Sequence, residues 1–340
     1  MNLVCLVSRQ AMPNLLPVLM YQPKTIFLLS TKEEISCAKH LQSLLVKEGF
    51  KVYLYDDISA YDDTNLKLRL DYIFNKYSDD IFLNVTGGTK PMAFAAYEYF
   101  REKGNRVFYC NTEQKQIMHL LPKRYTEELK TELTIENYLA VYGYKIENEK
   151  SSTTDYNYEN LFELIEKNNH LKEFISFTLL VRKALSEESN KTINSKSKIF
   201  SYQKTTAKFI LIYNSTKPSL KFKFDTKDFL FGDWLEYYVY WKYKLIKDSE
   251  IKLGVSIISE NYIRNEIDVI FLKDYKLTLV SCKSGEAKNS ALYELETLRQ
   301  ITSGTFGKGI AIMTNKPMEN IINRAKELSI TLISDLATIK

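Results

Sequence analysis

The sequence has little of what metal clusters, disulfide frameworks and flexible linkers are made from. Its four cysteines, Cys5, Cys37, Cys110 and Cys282, lie far apart with no CxxC pair, which argues against both a disulfide framework and a zinc knuckle. Three histidines, His40, His119 and His170, stand in polar or mixed surroundings and argue against a multi-histidine metal site. Eleven glycines and seven prolines in 340 residues leave little material for long linkers. The apolar runs, Leu15 to Met20 among them, are too short to cross a bilayer. The segment after Met1 lacks the basic stretch that opens a signal peptide. A reduced, cytoplasmic protein with no membrane partner is therefore expected.

What is present is ordinary globular material: 45% hydrophobic and 26% charged residues, which excludes a disordered tail, a fibrous repeat or a collagen-like chain. The length suggests two domains. Charge is divided unevenly. Residues 1–150 hold 19 basic and 19 acidic side chains, so the net +5 belongs entirely to the remainder. A basic excess there is compatible with a polyanionic substrate and equally with ordinary solvated faces.

Residues 1–120 alternate strand-like and helix-like patterns. Five apolar, β-rich runs near residues 3, 25, 51, 81 and 106 are separated by helical segments, and Gln116–Leu121 reads as a closing strand. Such alternation predicts a parallel, doubly wound sheet whose ligands sit beyond the carboxyl ends of the strands. The polar stretch ending Glu149-Lys150-Ser151-Ser152-Thr153-Thr154 reads as a boundary. Beyond it, two helices and a Lys/Ser/Thr-rich segment with short strands fit either a small winged-helix module or a subdomain of the C-terminal unit. From residue 231 the order is helix, three-stranded meander, helix, strand, helix, strand, the order of a restriction-endonuclease-like core.

Two loops at the carboxyl edge of the first sheet carry chemistry. In Asn84-Val85-Thr86-Gly87-Gly88-Thr89-Lys90-Pro91, the glycines let the backbone approach a ligand closely. Thr89 suits an N-cap and Pro91 a first helical turn, so free N–H groups and the helix dipole face outward beside the Lys90 cation. That is a phosphate-sized anion site, and a plain strand-to-helix turn would read the same way. The loop after the first strand, Ser8-Arg9-Gln10-Ala11-Met12-Pro13-Asn14, brings Ser8, Gln10 and Asn14 as hydrogen-bonding groups suited to bases or riboses.

Together these loops resemble the ligand loops of CARF domains, the cyclic-oligoadenylate sensors of type III CRISPR systems, over roughly residues 1–145. The Thr86-Gly87-Gly88-Thr89-Lys90 element is the most specific part. The resemblance implies a homodimer that binds a ring of adenylates across its two-fold axis. Cyclic tetra-adenylate is the expected ring, with Ser8, Arg9, Gln10, Asn14, Thr86, Gly87, Gly88, Thr89 and Lys90 as its contacts.

In the second half, Glu236 stands in a helix, Asp268 in Asn265-Glu266-Ile267-Asp268 and Lys283 in Ser281-Cys282-Lys283-Ser284-Gly285. Carboxylates that bind Mg²⁺ or Mn²⁺ activate water and neutralise a scissile phosphate, while a lysine stabilises developing charge. An acid and a lysine set in apolar strands are costly unless paired or functional, and a buried structural ion pair would also account for them. Cys282 reads as an apolar strand residue rather than a nucleophile. The Tyr-rich run from Tyr237 to Tyr243 reads as a helix flank packed on the sheet.

This set, with Phe231-Gly232-Asp233-Trp234-Leu235-Glu236 before it, resembles the PD-(D/E)xK nuclease core, specifically the nucleases fused behind CARF domains. It implies a metal-dependent endonuclease of DNA and/or RNA in antiviral defence, with Glu236, Asp268 and Lys283 catalytic. Ser281 departs from the pattern by standing where an acid is usual. Glu266, two residues before Asp268 and so on the same face of a regular strand, is expected to compensate, with metal held by Glu236, Asp268, Glu266 and the main-chain carbonyl of Cys282. The fold expected is α/β: a doubly wound, Rossmann-like CARF domain over residues 1–145, a helical or winged-helix-like segment over 146–227, and a restriction-endonuclease-like domain over 228–340. The rival expectation is a cyclic-oligoadenylate-responsive DNA-binding regulator with an inert nuclease core.

Overall fold

The computed structural model describes residues 1–77, 80–150, 158–186, 192–205, 208–224, 227–285 and 288–339. Strands β1 (Asn2–Leu6), β2 (Thr25–Leu29), β3 (Val52–Tyr55), β4 (Ile81–Asn84) and β5 (Arg106–Asn111) are parallel and alternate with helices α1 (Met12–Tyr21), α2 (Ile35–Lys47), α3 (Thr64–Lys76) and α4 (Lys90–Glu102). The first two strands are buried along their whole length, as expected for strands covered by helices on both faces. Two antiparallel strands, β6 (Gln116–Leu121) and β7 (Tyr125–Glu128), extend the edge to give the order β3-β2-β1-β4-β5-β6-β7. The order reverses direction between β1 and β4, and crevices open at such switch points. The edge strand is thus β7 rather than Gln116–Leu121.

After helix α5 (Ile135–Ala140), strand β8 (Tyr144–Glu149) leaves the first sheet and pairs with the second. The stretch Ser151–Thr154, read as part of the boundary, lies outside the described residues. Helices α6 (Tyr158–Lys167) and α7 (Leu171–Ser186) and strands β9 (Ile193–Asn194), β10 (Phe200–Lys204), β11 (Phe209–Tyr213) and β12 (Leu220–Phe224) come next, the strands forming one antiparallel sheet. Helix α8 (Trp234–Lys244), strands β13 (Glu250–Ser259), β14 (Arg264–Lys273) and β15 (Lys276–Lys283), helix α9 (Asn289–Ser303), strand β16 (Lys308–Met313), helix α10 (Glu319–Glu327) and strand β17 (Thr331–Ile333) complete the chain. Their sheet has the order β17-β16-β15-β14-β13-β8.

Burial ties these parts together. The aromatic faces of α6 and α7 (Tyr158, Phe162, Phe174, Phe177) pack in one apolar cluster with Trp234, Tyr238 and Trp241 of α8 and with Val269 and Val280. The middle segment therefore shares one core with the C-terminal unit. The Tyr-rich face of α8 belongs to this core, as the sequence suggests. A second cluster runs from Leu3, Cys5 and Leu41 through Tyr138 to Val255, Leu279 and Leu295, so both large sheets contribute to one apolar interface. Polar contacts span it as well: Ile135 N donates to Glu250 Oε2 at 2.7 Å, and Tyr275 Oη donates to Thr131 O at 3.0 Å. Among the described residues, no helix is long and apolar enough to cross a membrane.

Candidate functional sites

The crevice at the first sheet is braced by buried amides. Asn84 Nδ2, at the end of β4, donates to Pro13 O at 2.8 Å and to Asn14 Oδ1 at 2.9 Å. Asn14 Nδ2 donates to Leu6 O at 2.8 Å, and Asn84 Oδ1 accepts from Thr86 N and Thr86 Oγ1. Asn14 and Asn84 are buried, so this network exchanges solvent for internal partners and fixes the two loops against each other. Asn14, expected as a ligand contact, is committed to this bracing instead. Thr86 plays a related part: its Oγ1 also accepts from Cys110 N at 2.7 Å.

The glycine turn is sterically obligatory. A Cβ on Gly87 would lie 2.0 Å from the Leu6 carbonyl oxygen, and Gly88 has φ +72°. Gly88 N donates to Val7 O at 3.2 Å. Thr89 caps α4, accepting from Met92 N while its hydroxyl donates to Ala60 O. Lys90 opens the helix and is exposed. Ser8 and Arg9 lie on the opposite lip, Arg9 with an exposed side chain 3.2 Å from Glu34. Gln10 reaches the C-terminal unit. Its amide packs against Gly304 beyond the end of α9, where a Cβ would meet Gln10 Oε1 at 2.7 Å. One member of the crevice loop therefore touches the C-terminal unit directly.

The second site lies in the middle of β14 and at the end of β15, where these two strands part. Asp268 Oδ2 accepts from Cys282 N at 2.6 Å and from Ser281 Oγ at 3.4 Å, and lies 3.6 Å from Lys283 Nζ. The regular β14–β15 pairing stops at Val269–Val280, leaving this carboxylate at the point where the strands part. Glu236, on the first turn of α8, accepts from Lys150 Nζ at 2.8 Å, and Asp233 Oδ2 lies 3.2 Å from the same nitrogen. Burial, and then the charge of Asp268, push the Glu236 carboxyl up to about 7 against the pull of Lys150. The Cys282 thiol is pushed up by burial and then by Asp268 and Glu236, which suits a packing residue and not a nucleophile. Arg182 of α7 donates to Ser284 O at 2.9 Å and covers the Phe231 ring at 5.2 Å, steadying the turn after Lys283.

Glu266 lies at the rim of this site. It is exposed, and it borders a cavity of ≈ 70 Å³ with Asp268, Ser281, Lys283 and Glu294. Two-residue alternation breaks at this row: Leu253 and Val269 pack in the α8 cluster, while Val255 and Ile267 pack in the other. Gly254, opposite this point with φ +54°, permits the change of face. Among the described residues no three His, Cys, Asp or Glu side chains are grouped to hold a metal ion, so Glu236, Asp268 and Glu266 are not a preassembled triad. Two hard-oxygen carboxylates, one destabilised by the other's charge, still suit a divalent cation. The Cys282 carbonyl points to the same strand edge as its N–H. Local sequence does not single out Lys150 and Arg182 as site residues, because their proximity depends on separate elements meeting in space.

The raised Glu236 carboxyl has a consequence for stability. Its folded value of about 7 exceeds the ordinary 4.5, so the folded chain holds this proton where the unfolded chain has lost it. The stabilisation is present below about 4.5 and is lost as the pH rises through about 7. In metal-free buffer the melting temperature of wild type is expected to fall between pH 5 and 8 more steeply than that of Glu236→Gln. Equal slopes would refute the assignment.

The Card1 CARF domain family matches residues 2–138, and the Card1-like endonuclease domain family matches residues 224–340. No curated protein matches the chain. Among solved structures, Can2 from Sulfobacillus thermosulfidooxidans in complex with cyclic tetra-adenylate is similar with a TM-score of 0.76 at 21% identity, over 99% of this chain and 96% of that one. Protein VC1899 from Vibrio cholerae is similar with a TM-score of 0.77 at 18% identity, over 99% and 96%. A type III CRISPR defence DNA nuclease activated by cyclic oligoadenylate is similar with a TM-score of 0.62 at 20% identity, over 92% of this chain and 45% of that one.

Proposed function

We propose that this chain, whose two parts match the Card1 CARF domain and the Card1-like endonuclease domain families, is a nuclease of CRISPR defence switched on by a cyclic oligoadenylate. The observation that carries the reading is the pairing of two sites in one chain: two amide-braced loops around a tight glycine turn at the carboxyl edge of the first sheet, and a carboxylate–lysine centre where β14 and β15 part. Cyclic tetra-adenylate is the activator we favour, since it occupies the similar Can2 structure. The contact of Gln10 with Gly304 supports communication between the two sites.

In the nuclease centre, Asp268 is oriented by the Cys282 N–H and the Ser281 hydroxyl, so the serine serves the carboxylate it neighbours. Lys283, 3.6 Å from Asp268, is placed to face a phosphate oxygen or the attacking water. Glu236 and Asp268, with the Cys282 carbonyl, would hold Mn²⁺ or Mg²⁺, which when bound supplies charge neutralisation at the phosphate and a more acidic water. Arg182 keeps the turn after Lys283 in place. The substrate is DNA and/or RNA. The inert-regulator reading has less support, because the middle segment packs on α8 and is not a free nucleic-acid-reading module.

The activator site is tested by Lys90→Ala. Loss of a charged partner from an anion is expected to weaken activator binding by about 1–3 kcal/mol, roughly 5- to 150-fold. Cleavage then needs more activator but reaches a similar maximum. Calorimetry also reads stoichiometry: a ring shared across a homodimer gives one activator per two chains, and one per chain would refute the dimer. Unchanged affinity in Lys90→Ala would reduce the glycine turn to a turn.

A further inference from the structure

We propose that Lys150 is a built-in cation of the nuclease centre, placed between Asp233 and Glu236 where it competes with a divalent metal for the acidic set. The proposal rests on the metal-dependent reading above and deepens it.

Three features place Lys150 there. Its main-chain N–H follows β8 and donates to Leu253 O and Gly254 O at 3.0 and 3.1 Å, which anchors the residue beside β13. Its side chain then crosses Gly254 directly. A Cβ at that position would lie 2.4 Å from both Cγ and Cδ of Lys150 and 3.0 Å from its Cβ. Only glycine leaves room for that passage, and the backbone there has the positive φ that glycine adopts readily. Beyond Gly254 the ammonium reaches Glu236 Oε2 at 2.8 Å and Asp233 Oδ2 at 3.2 Å. Gly254 stands opposite Asp268 in the β13–β14 register, between the Leu253–Val269 and Val255–Ile267 pairs. The lysine stem therefore enters the centre through the gap facing its principal carboxylate.

Charge decides what this does. With all three carboxylates ionised, Asp233, Glu236 and Asp268 face two ammonium groups, Lys150 and Lys283, and the set keeps one net negative charge. Without Lys150 it would carry two, matching a divalent cation. An ammonium is a compact point charge with three donors and satisfies carboxylates as a cation does. Entry of metal at Glu236 must displace Lys150 or share the oxygen with it, so the lysine lowers metal affinity in the resting chain.

The test is Mn²⁺ binding to the full-length protein without nucleic acid or activator, with free Mn²⁺ read by electron paramagnetic resonance. Wild type, Lys150→Met, Lys150→Arg and Asp268→Asn are compared. Lys150→Met keeps the stem and removes the charge, and it is expected to bind Mn²⁺ about tenfold more tightly, while Lys150→Arg shows no gain. Unchanged or weaker binding in Lys150→Met, with wild-type binding abolished by Asp268→Asn, overturns the proposal and leaves the metal reading standing. Wild type and Asp268→Asn binding alike would overturn both. Thermal melting identifies a misfolded variant. If Lys150→Met proves misfolded, Lys150→Gln, also uncharged, takes its place with the same outcomes.

Discussion

Replacing Asp268 with alanine is expected to lower nucleic-acid cleavage by about 10³-fold or more while leaving activator affinity within about twofold of wild type. Each tenfold in rate corresponds to about 1.4 kcal/mol, and a carboxylate that holds a catalytic cation supplies several kcal/mol of transition-state charge stabilisation. Asp268 is also the acceptor that organises its neighbours: the Cys282 N–H, the Ser281 hydroxyl and the Lys283 ammonium all converge on it. Its removal therefore strips the centre of one carboxylate and releases Lys283 from its partner. Among the described residues the loops of the first sheet share no hydrogen bond with this group, so activator binding measured by calorimetry reports on the fold independently. Full cleavage by Asp268→Ala would move the active site elsewhere in the chain.

Gly87→Ala is expected to reduce activator affinity by about 100-fold or more. The new methyl group would stand 2.0 Å from the Leu6 carbonyl oxygen. That oxygen is main chain and already accepts from Asn14 Nδ2, so no rotamer change relieves the clash. Overpacking of this kind costs about 1–3 kcal/mol and occasionally more, and the strain falls on the loop that presents the Thr89 and Lys90 end of α4. Cleavage without activator is expected to stay at its basal level, and saturating activator to restore part of the stimulated rate. Wild-type activator affinity in a folded Gly87→Ala protein would show that the turn does not meet the ligand. Lys90→Ala probes the same crevice without steric cost should Gly87→Ala fail to fold.

The alternation of apolar strands with amphipathic helices in residues 1–120, and the helix–meander–helix order after residue 231, were legible as local periodicity, because burial on both faces of a parallel sheet writes continuous apolar runs. The two glycine positions and the cap at Thr89 were legible too, since turn geometry is a property of a few consecutive residues. Glu236, Asp268 and Lys283 also stand out in the sequence as acids and a base among apolar neighbours, and the structure sets Lys283 3.6 Å from Asp268. What tertiary structure alone decided is which of these groups meet. Asn14 looks like a ligand-binding amide until Asn84, seventy residues away, is seen to claim its oxygen. Glu266 and Asp268 border one small cavity, although the alternation of their strand breaks opposite Gly254 on the neighbouring strand. The middle segment could be assigned to the C-terminal unit only when its aromatic faces were found against α8. Lys150 reads as linker until its stem is found lying over Gly254. Each depends on non-local pairing, in which a register or a missing Cβ on one strand determines where a side chain from another can go, and local pattern carries no record of that choice.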